Sequence, residues 1–154
     1  MQPVRLSRFA LLLLLALVAR ATCTQAATSD DPLDLAALKG KVVYVDFWAS
    51  WCGPCRQSFP WMSRLQHSLA DSGLVIIAVN VDQVRADAEH FLDMFSPGFR
   101  VAYDPQGSLA ERYHVRGMPT SVLIGRDGKT LTVHEGFRVK ERNSLEQTIR
   151  AALR

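Results

Sequence analysis

The chain has 154 residues, of which 48% are hydrophobic and 21% charged. That length holds one domain once a leader is set aside, and the composition excludes a disordered or collagen-like chain. Three cysteines are too few for a disulfide scaffold. The net charge of +3 comes from Arg5, Arg8 and Arg20, because the remaining 15 Lys and Arg are matched by 15 Asp and Glu. A neutral body without a basic cluster excludes an electrostatic footprint for nucleic acid.

Residues 1–8 carry Arg5 and Arg8, and residues 9–19 form an unbroken apolar run. Eleven residues are about half of the ~20 needed to cross a bilayer as a helix. A charged start, a short apolar centre and small residues after it describe a secretory signal peptide over residues 1–26. Ala19-Arg20-Ala21 fits the cleavage rule, and Thr24-Gln25-Ala26 fits less well. Cys23 is a candidate for lipid anchoring, although Arg20-Ala21-Thr22 before it departs from the usual lipobox. Export, with periplasmic residence, is the expectation. Residues 27–32 read as a linker and residues 33–154 as the folded domain.

Within that domain, residues 33–38 suggest one helical turn, stopped at Gly40. Residues 41–48 are β-branched and aromatic, as in a strand covered on both faces. From Cys55 to Ala70 the apolar residues Phe59, Met62, Leu65 and Leu69 recur at helical spacing, with a kink expected at Pro60. Residues 74–81 form a second buried strand, residues 87–95 a helix, residues 99–103 a short strand and residues 108–113 a short helix. A strand over residues 120–124 turns at Asp127-Gly128 into its partner over residues 131–135. An amphipathic helix over residues 140–153 closes the chain, with Leu145, Ile149 and Leu153 on one face. Early strands joined by helical crossovers and a late hairpin predict a mixed β-sheet with helices on both faces.

The chemistry centres on Trp48-Ala49-Ser50-Trp51-Cys52-Gly53-Pro54-Cys55. Two cysteines three apart can close a small disulfide across a helix's first turn. Cys52 would face unpaired backbone N–H groups, which favour thiolate over thiol. Such positions lower a cysteine pKa from about 8.5 to as low as ~3.5–7.5. Cys52 is therefore the candidate nucleophile and Cys55 the resolving thiol. Pro54 suits a first helical turn, and the Gly53-Pro54 pair would hold the sulfurs close. A bare C-x-x-C also fits half a zinc site or an inert disulfide. Asp46 interrupts an apolar strand six residues before Cys52. Burying a carboxylate is costly and raises its pKa.

The segment VDFWASWCGPC resembles the thioredoxin active site, and Arg116-Gly117-Met118-Pro119-Thr120, about 65 residues on, is similar to that superfamily's cis-proline loop. The leader, Arg56, Pro60 and Asp104-Pro105-Gln106-Gly107 resemble the exported TlpA/ResA type of thiol-disulfide oxidoreductase. The resemblance covers residues 33–153 and implies a thioredoxin-like three-layer sandwich. It implies a protein-disulfide reductase that needs no cofactor beyond the redox-active Cys52/Cys55 pair. Protein disulfides would be the substrates, a membrane protein the electron donor, and the molecule a monomer. Trp51, Gly53, Pro54, Gly117, Met118 and Pro119 would contact substrate, with the Met118 backbone pairing with an extended segment. Asp46 would move the proton of Cys55. The lysine that thioredoxins often place near this acid is replaced by Ala78.

Gly53-Pro54 resembles the reducing members and lacks the histidine of strong oxidants. A helper role in cytochrome c maturation is one of several open to such a reductase. The alternatives on the same fold are a copper-binding chaperone and a thiol peroxidase. A chaperone of that kind would space its cysteines by three and add a distal histidine. Here the spacing is two, and His114 is expected in an exposed loop.

Overall fold

The computed structural model describes residues 32–154. The expected signal peptide, Cys23 and all of the expected linker except Pro32 lie outside the described residues. Five strands form one sheet in the order β3-β2-β1-β4-β5. They are β1 (Val42–Trp48), β2 (Leu74–Asn80), β3 (Arg100–Tyr103), β4 (Thr120–Ile124) and β5 (Thr130–Glu135). β1 pairs in parallel with β2, and β2 with β3, whereas β4 runs antiparallel to both β1 and β5. The sheet is mixed, as the order of sequence patterns predicts, with the wholly buried β1 at its centre.

Every residue of β1 is buried, so its two faces belong to two cores. Val42, Tyr44 and Trp48 point with Asp46 to one face; Val43, Val45 and Phe47 point to the other. On the first face lie α1 (Gly53–Leu69), α2 (Arg85–Phe95) and α4 (Arg142–Leu153), through Phe59, Phe91 and Ile149 among others. Its centre is aromatic. Phe59 stands 4.8 Å from Trp48 and 4.9 Å from Phe91 between ring centroids, both edge-on. The second face is covered more thinly, by the five-residue α3 (Ser108–Arg112), which contributes Leu109, and by Leu33. The sandwich has its three layers, but they are unequal.

The expected helical turn at residues 33–38 does not form. The Ala37 and Leu38 N–H groups donate to the Asp34 and Leu35 carbonyls in successive four-residue turns, and Asp34 sits at a φ of 46°, outside the helical region. Arg100 fastens this segment by donating to the Pro32 and Leu33 carbonyls. α1 starts at Gly53 rather than Cys55 and runs through Pro60 without interruption. A short 3-10 turn, Val139–Glu141, precedes α4. The remaining boundaries agree with the sequence pattern to within two residues.

One polar residue in the apolar stripe of α1 has a task that periodicity hides. The Gln66 amide donates to the Leu74 carbonyl and accepts from the Ile76 N–H, at 3.1 and 2.7 Å. Pairing between β2 and β3 begins only at Ile77. Gln66 thus satisfies the edge of β2 ahead of its partner strand.

Candidate active site

Cys52 is the N-cap of α1, with extended backbone at φ −81° and ψ 106°. Gly53 and Pro54 follow as the first helical positions, so the missing N–H of Pro54 falls where no helical bond is lost. Cys52 and Cys55 are joined by a disulfide, with 5.3 Å between their Cα atoms. The Cys55 N–H donates to Cys52 Sγ at 3.2 Å. The first turn contains no acidic residue to offset the positive end of the helix. A thiolate released at Cys52 would meet that end directly, whereas Cys55 lies one turn inside.

Exposure separates the two sulfur-bearing residues in the same sense. Cys55 is wholly buried and Cys52 retains 3%, less than a freely exposed nucleophile would have. Beside it Trp51 is 72% exposed, and Gly53 and Pro54 are also exposed. The exposed surface next to the disulfide is thus made by Trp51, Gly53 and Pro54, on the side of Cys52.

The Met118–Pro119 peptide bond is cis. Met118 packs against the core cluster that contains both cysteines. Its loop is held on either side: the Thr120 hydroxyl donates to the Gly117 carbonyl and the Gly136 N–H to the Pro119 carbonyl, each at 2.7 Å. Gly117 is exposed, Met118 half-buried and Pro119 buried.

Asp46 lies on the face of β1 that carries the disulfide, 3% exposed, with Ala78 opposite it on β2 and Ser121 opposite it on β4. Its Oδ2 has no hydrogen-bond partner within the protein. Burial holds its pKa well above the ordinary carboxylate value. The charge of Asp46 and burial also push the Tyr44 hydroxyl upward, burial being the larger cause. A lysine at position 78 would have lowered Asp46; alanine leaves desolvation unopposed.

Asp82 is a site residue that sequence reasoning missed. Its buried carboxylate accepts from the Ser50 N–H at 2.8 Å, the Ser50 hydroxyl at 3.1 Å and the Asn80 side chain at 2.7 Å. The Val81 N–H reaches the Trp48 carbonyl beside it. Asp82 therefore pins the loop between β1 and α1, two residues before Cys52. The available signal was an acid immediately beyond the apolar run of β2. Asp82→Asn is expected to lower stability by about 1–2 kcal/mol, as a charge-assisted acceptor becomes a neutral amide with one misdirected donor. Urea unfolding of the oxidised protein measures this; a midpoint equal to that of the wild type would contradict it.

His114 is exposed, at a φ of 54°, between α3 and the Gly117 loop. Among the described residues no three of His, Cys, Asp and Glu gather around one point.

The family model for Redoxin matches residues 18–149. The chain belongs to the redoxin family. This redoxin is 35% identical over 109 residues to the thiol-disulfide oxidoreductase ResA of Bacillus thuringiensis subsp. konkukian, covering 71% of its own chain and 63% of the relative. It thus spans under two thirds of the length of the curated relatives it matches. Its fold matches a Chlorobium tepidum structure, provisionally named thiol:disulfide interchange protein DsbE, with 52% identity and a TM-score of 0.76 over 78% of this chain and 85% of that one. The exposed lipoprotein thioredoxin Etrx1 of Streptococcus pneumoniae matches at 33% identity and a TM-score of 0.67, over 76% of this redoxin and 89% of that chain. The fold is thioredoxin-like, and the active-site segment falls within the matched residues.

Proposed function

We propose that this redoxin is a thiol-disulfide oxidoreductase that reduces disulfide bonds in exported proteins. The observation that carries the reading is the disulfide at the N-terminus of α1, with its residual exposure on Cys52 and its inner partner sealed. The Cys52 thiolate attacks a substrate disulfide, whose bond breaks and whose departing sulfur takes a proton. Cys55 then gives its proton to the Asp46 carboxylate and attacks Cys52 Sγ. The mixed disulfide breaks, the second substrate thiol leaves, and the two electrons end on the substrate. Trp51, Gly53 and Pro54 form the approach surface, and Gly117, Met118 and Pro119 the shelf for an extended substrate segment.

The Gly53-Pro54 pair, which resembles that of the reducing thioredoxins, supports reduction as the direction of flow. A reductase outside the cytoplasm must be recharged, and a membrane dithiol protein is the donor class that fits. The leader pattern over residues 1–26 and the likeness to an exposed lipoprotein thioredoxin support extracytoplasmic residence, in the periplasm where the cell has one. Cytochrome c maturation is a substrate pathway that the resemblance to TlpA/ResA-type oxidoreductases implies.

Equilibration against glutathione tests the direction, with the Cys52/Cys55 ratio read by thiol alkylation. A potential well below about −150 mV is expected, toward the reducing end of the scale on which strong oxidants stand near −120 mV. Reduction of insulin disulfides by the reduced protein is expected alongside it. A potential above that limit overturns the reductase reading.

A further inference from the structure

The cross-strand row that contains Asp46 continues to the edge of the sheet. Asp46 stands opposite Ser121 on β4, and Ser121 stands opposite His134 on β5. Residues directly opposed in antiparallel strands project from one face with Cβ atoms roughly 4.5–5.5 Å apart. A carboxyl, a hydroxyl and an imidazole are therefore lined up on the face that carries the disulfide.

Exposure rises along this row. Asp46 and Ser121 are 3% and 4% exposed, whereas the His134 side chain is 31% exposed. The two ends are polar atoms without partners: Asp46 Oδ2 and His134 Nε2 are both buried atoms with no hydrogen bond within the protein. Between them stands the buried Ser121 hydroxyl, on the same cross-strand row as both. Beyond them, Glu141 Oε2 lies 3.6 Å from His134 Nε2, too far for a hydrogen bond and near enough to offset a charge on the ring.

We propose that Ser121 and His134 are a proton relay between the buried Asp46 carboxyl and solvent at the β5 edge, an inference that rests on the exchange chemistry proposed above. Asp46 must be an anion to take the proton of Cys55, yet its burial favours the neutral acid. A resting proton has to leave before the resolving step, and Asp46 has almost no solvent contact of its own. In the relay the proton passes from Asp46 to Ser121 Oγ, while the hydroxyl's own proton passes to His134 Nε2. The imidazolium then releases a proton to water. No electrons move; Ser121 and His134 return to their starting states, and Asp46 is left as the carboxylate.

The other polar groups around the row fit this assignment. From β1 it faces Tyr44, which burial and the Asp46 charge keep protonated, and from β2 the apolar Ala78. α1 presents Trp61, edge-on to Tyr44 at 6.0 Å. At the outer end Arg138 holds the other Glu141 oxygen at 3.2 Å, and Arg142 donates to the Val139 carbonyl. None of these offers the Asp46 proton a second acceptor that reaches water.

The reaction of the reduced protein with 5,5′-dithiobis(2-nitrobenzoate) separates the steps. Attack by Cys52 releases one thionitrobenzoate, and attack by Cys55 on the resulting mixed disulfide releases the second. His134→Gln and Ser121→Ala are expected to slow the second release about tenfold near neutral pH, less than the 10²-fold or more for a group that touches the reacting atoms. The first release should keep its rate. In His134→Ala, free imidazole should restore the second release, which a merely structural loss would not allow. Unchanged second-release rates in both His134→Gln and Ser121→Ala overturn the relay, as does slowing in His134→Ala that imidazole does not relieve. Failure of the wild-type protein to give any second release would instead overturn the exchange chemistry itself.

Discussion

Cys55→Ser is expected to convert the protein from a catalyst into a trap. With the inner thiol gone, the Cys52 thiolate still attacks a disulfide, but nothing attacks the mixed disulfide that results. Turnover should fall by on the order of 10⁴–10⁶, the loss seen when one member of a catalytic unit is removed. A covalent adduct on Cys52 should accumulate, visible on non-reducing gels and reversed by dithiothreitol. Cys52→Ser should lose the same activity without forming adducts, because Cys55 is sealed beneath the first turn of α1. Trapping by Cys52→Ser and not by Cys55→Ser would reverse the two roles. Mass spectrometry of the adducts formed in the native compartment would also name the substrates.

Serine is the suitable replacement at Cys55 because its surroundings tolerate it. The Ser58 hydroxyl already donates to the Cys55 carbonyl at 3.1 Å, so a second small hydroxyl on this turn meets a local acceptor pattern that exists. The helix start depends on Cys52 as N-cap and on Pro54, neither of which changes. The adduct experiment therefore reports on chemistry at the sulfur rather than on loss of α1.

What could be read from the sequence is what short-range spacing encodes. The C-x-x-C pair, Pro54 and the apolar run of β1 each carry their meaning within a few residues. Asp46 was conspicuous because it alone breaks that run. The alternation of β1 then fixes which face it shares, and that face carries the disulfide. Asp82 was opaque because its role depends on Ser50, 32 residues earlier, and on the parallel register of β1 with β2. His134 was more hidden still. Its place in the row with Asp46 needs the strand order β1-β4-β5, which no spacing of histidines reveals. Residues 33–38 depart from the expected helical turn for a local reason. Asp34 leaves the helical region, and Arg100 holds the segment from outside. A hydrophobic pattern states that a side must be buried; it does not state the backbone that buries it.

Asp46→Asn should separate the cost of the buried acid from its use. The folded pKa of Asp46 lies above its unfolded value, with burial as the cause. The folded state therefore binds the proton more tightly than the unfolded chain does. For such a group, stability is fully present below the unfolded carboxylate value and is lost as pH rises through the folded one. Asparagine has the shape of the neutral acid and never ionises, so the variant should escape that loss. Its thermal midpoint should match that of the wild type in acid and exceed it by roughly 4 °C or more at alkaline pH, the shift that ~1 kcal/mol produces in a small domain. The resolving step should move the opposite way, slowing by on the order of 10²–10³ near neutral pH, because the amide cannot take the Cys55 proton. That deficit should shrink as pH rises and hydroxide removes the Cys55 proton directly. A variant that is more stable at high pH and slower at neutral pH marks one carboxyl as both the strain in the fold and the base in the reaction. Equal resolving rates in the two proteins across the pH range would leave Asp46 as a buried acid without a part in the exchange.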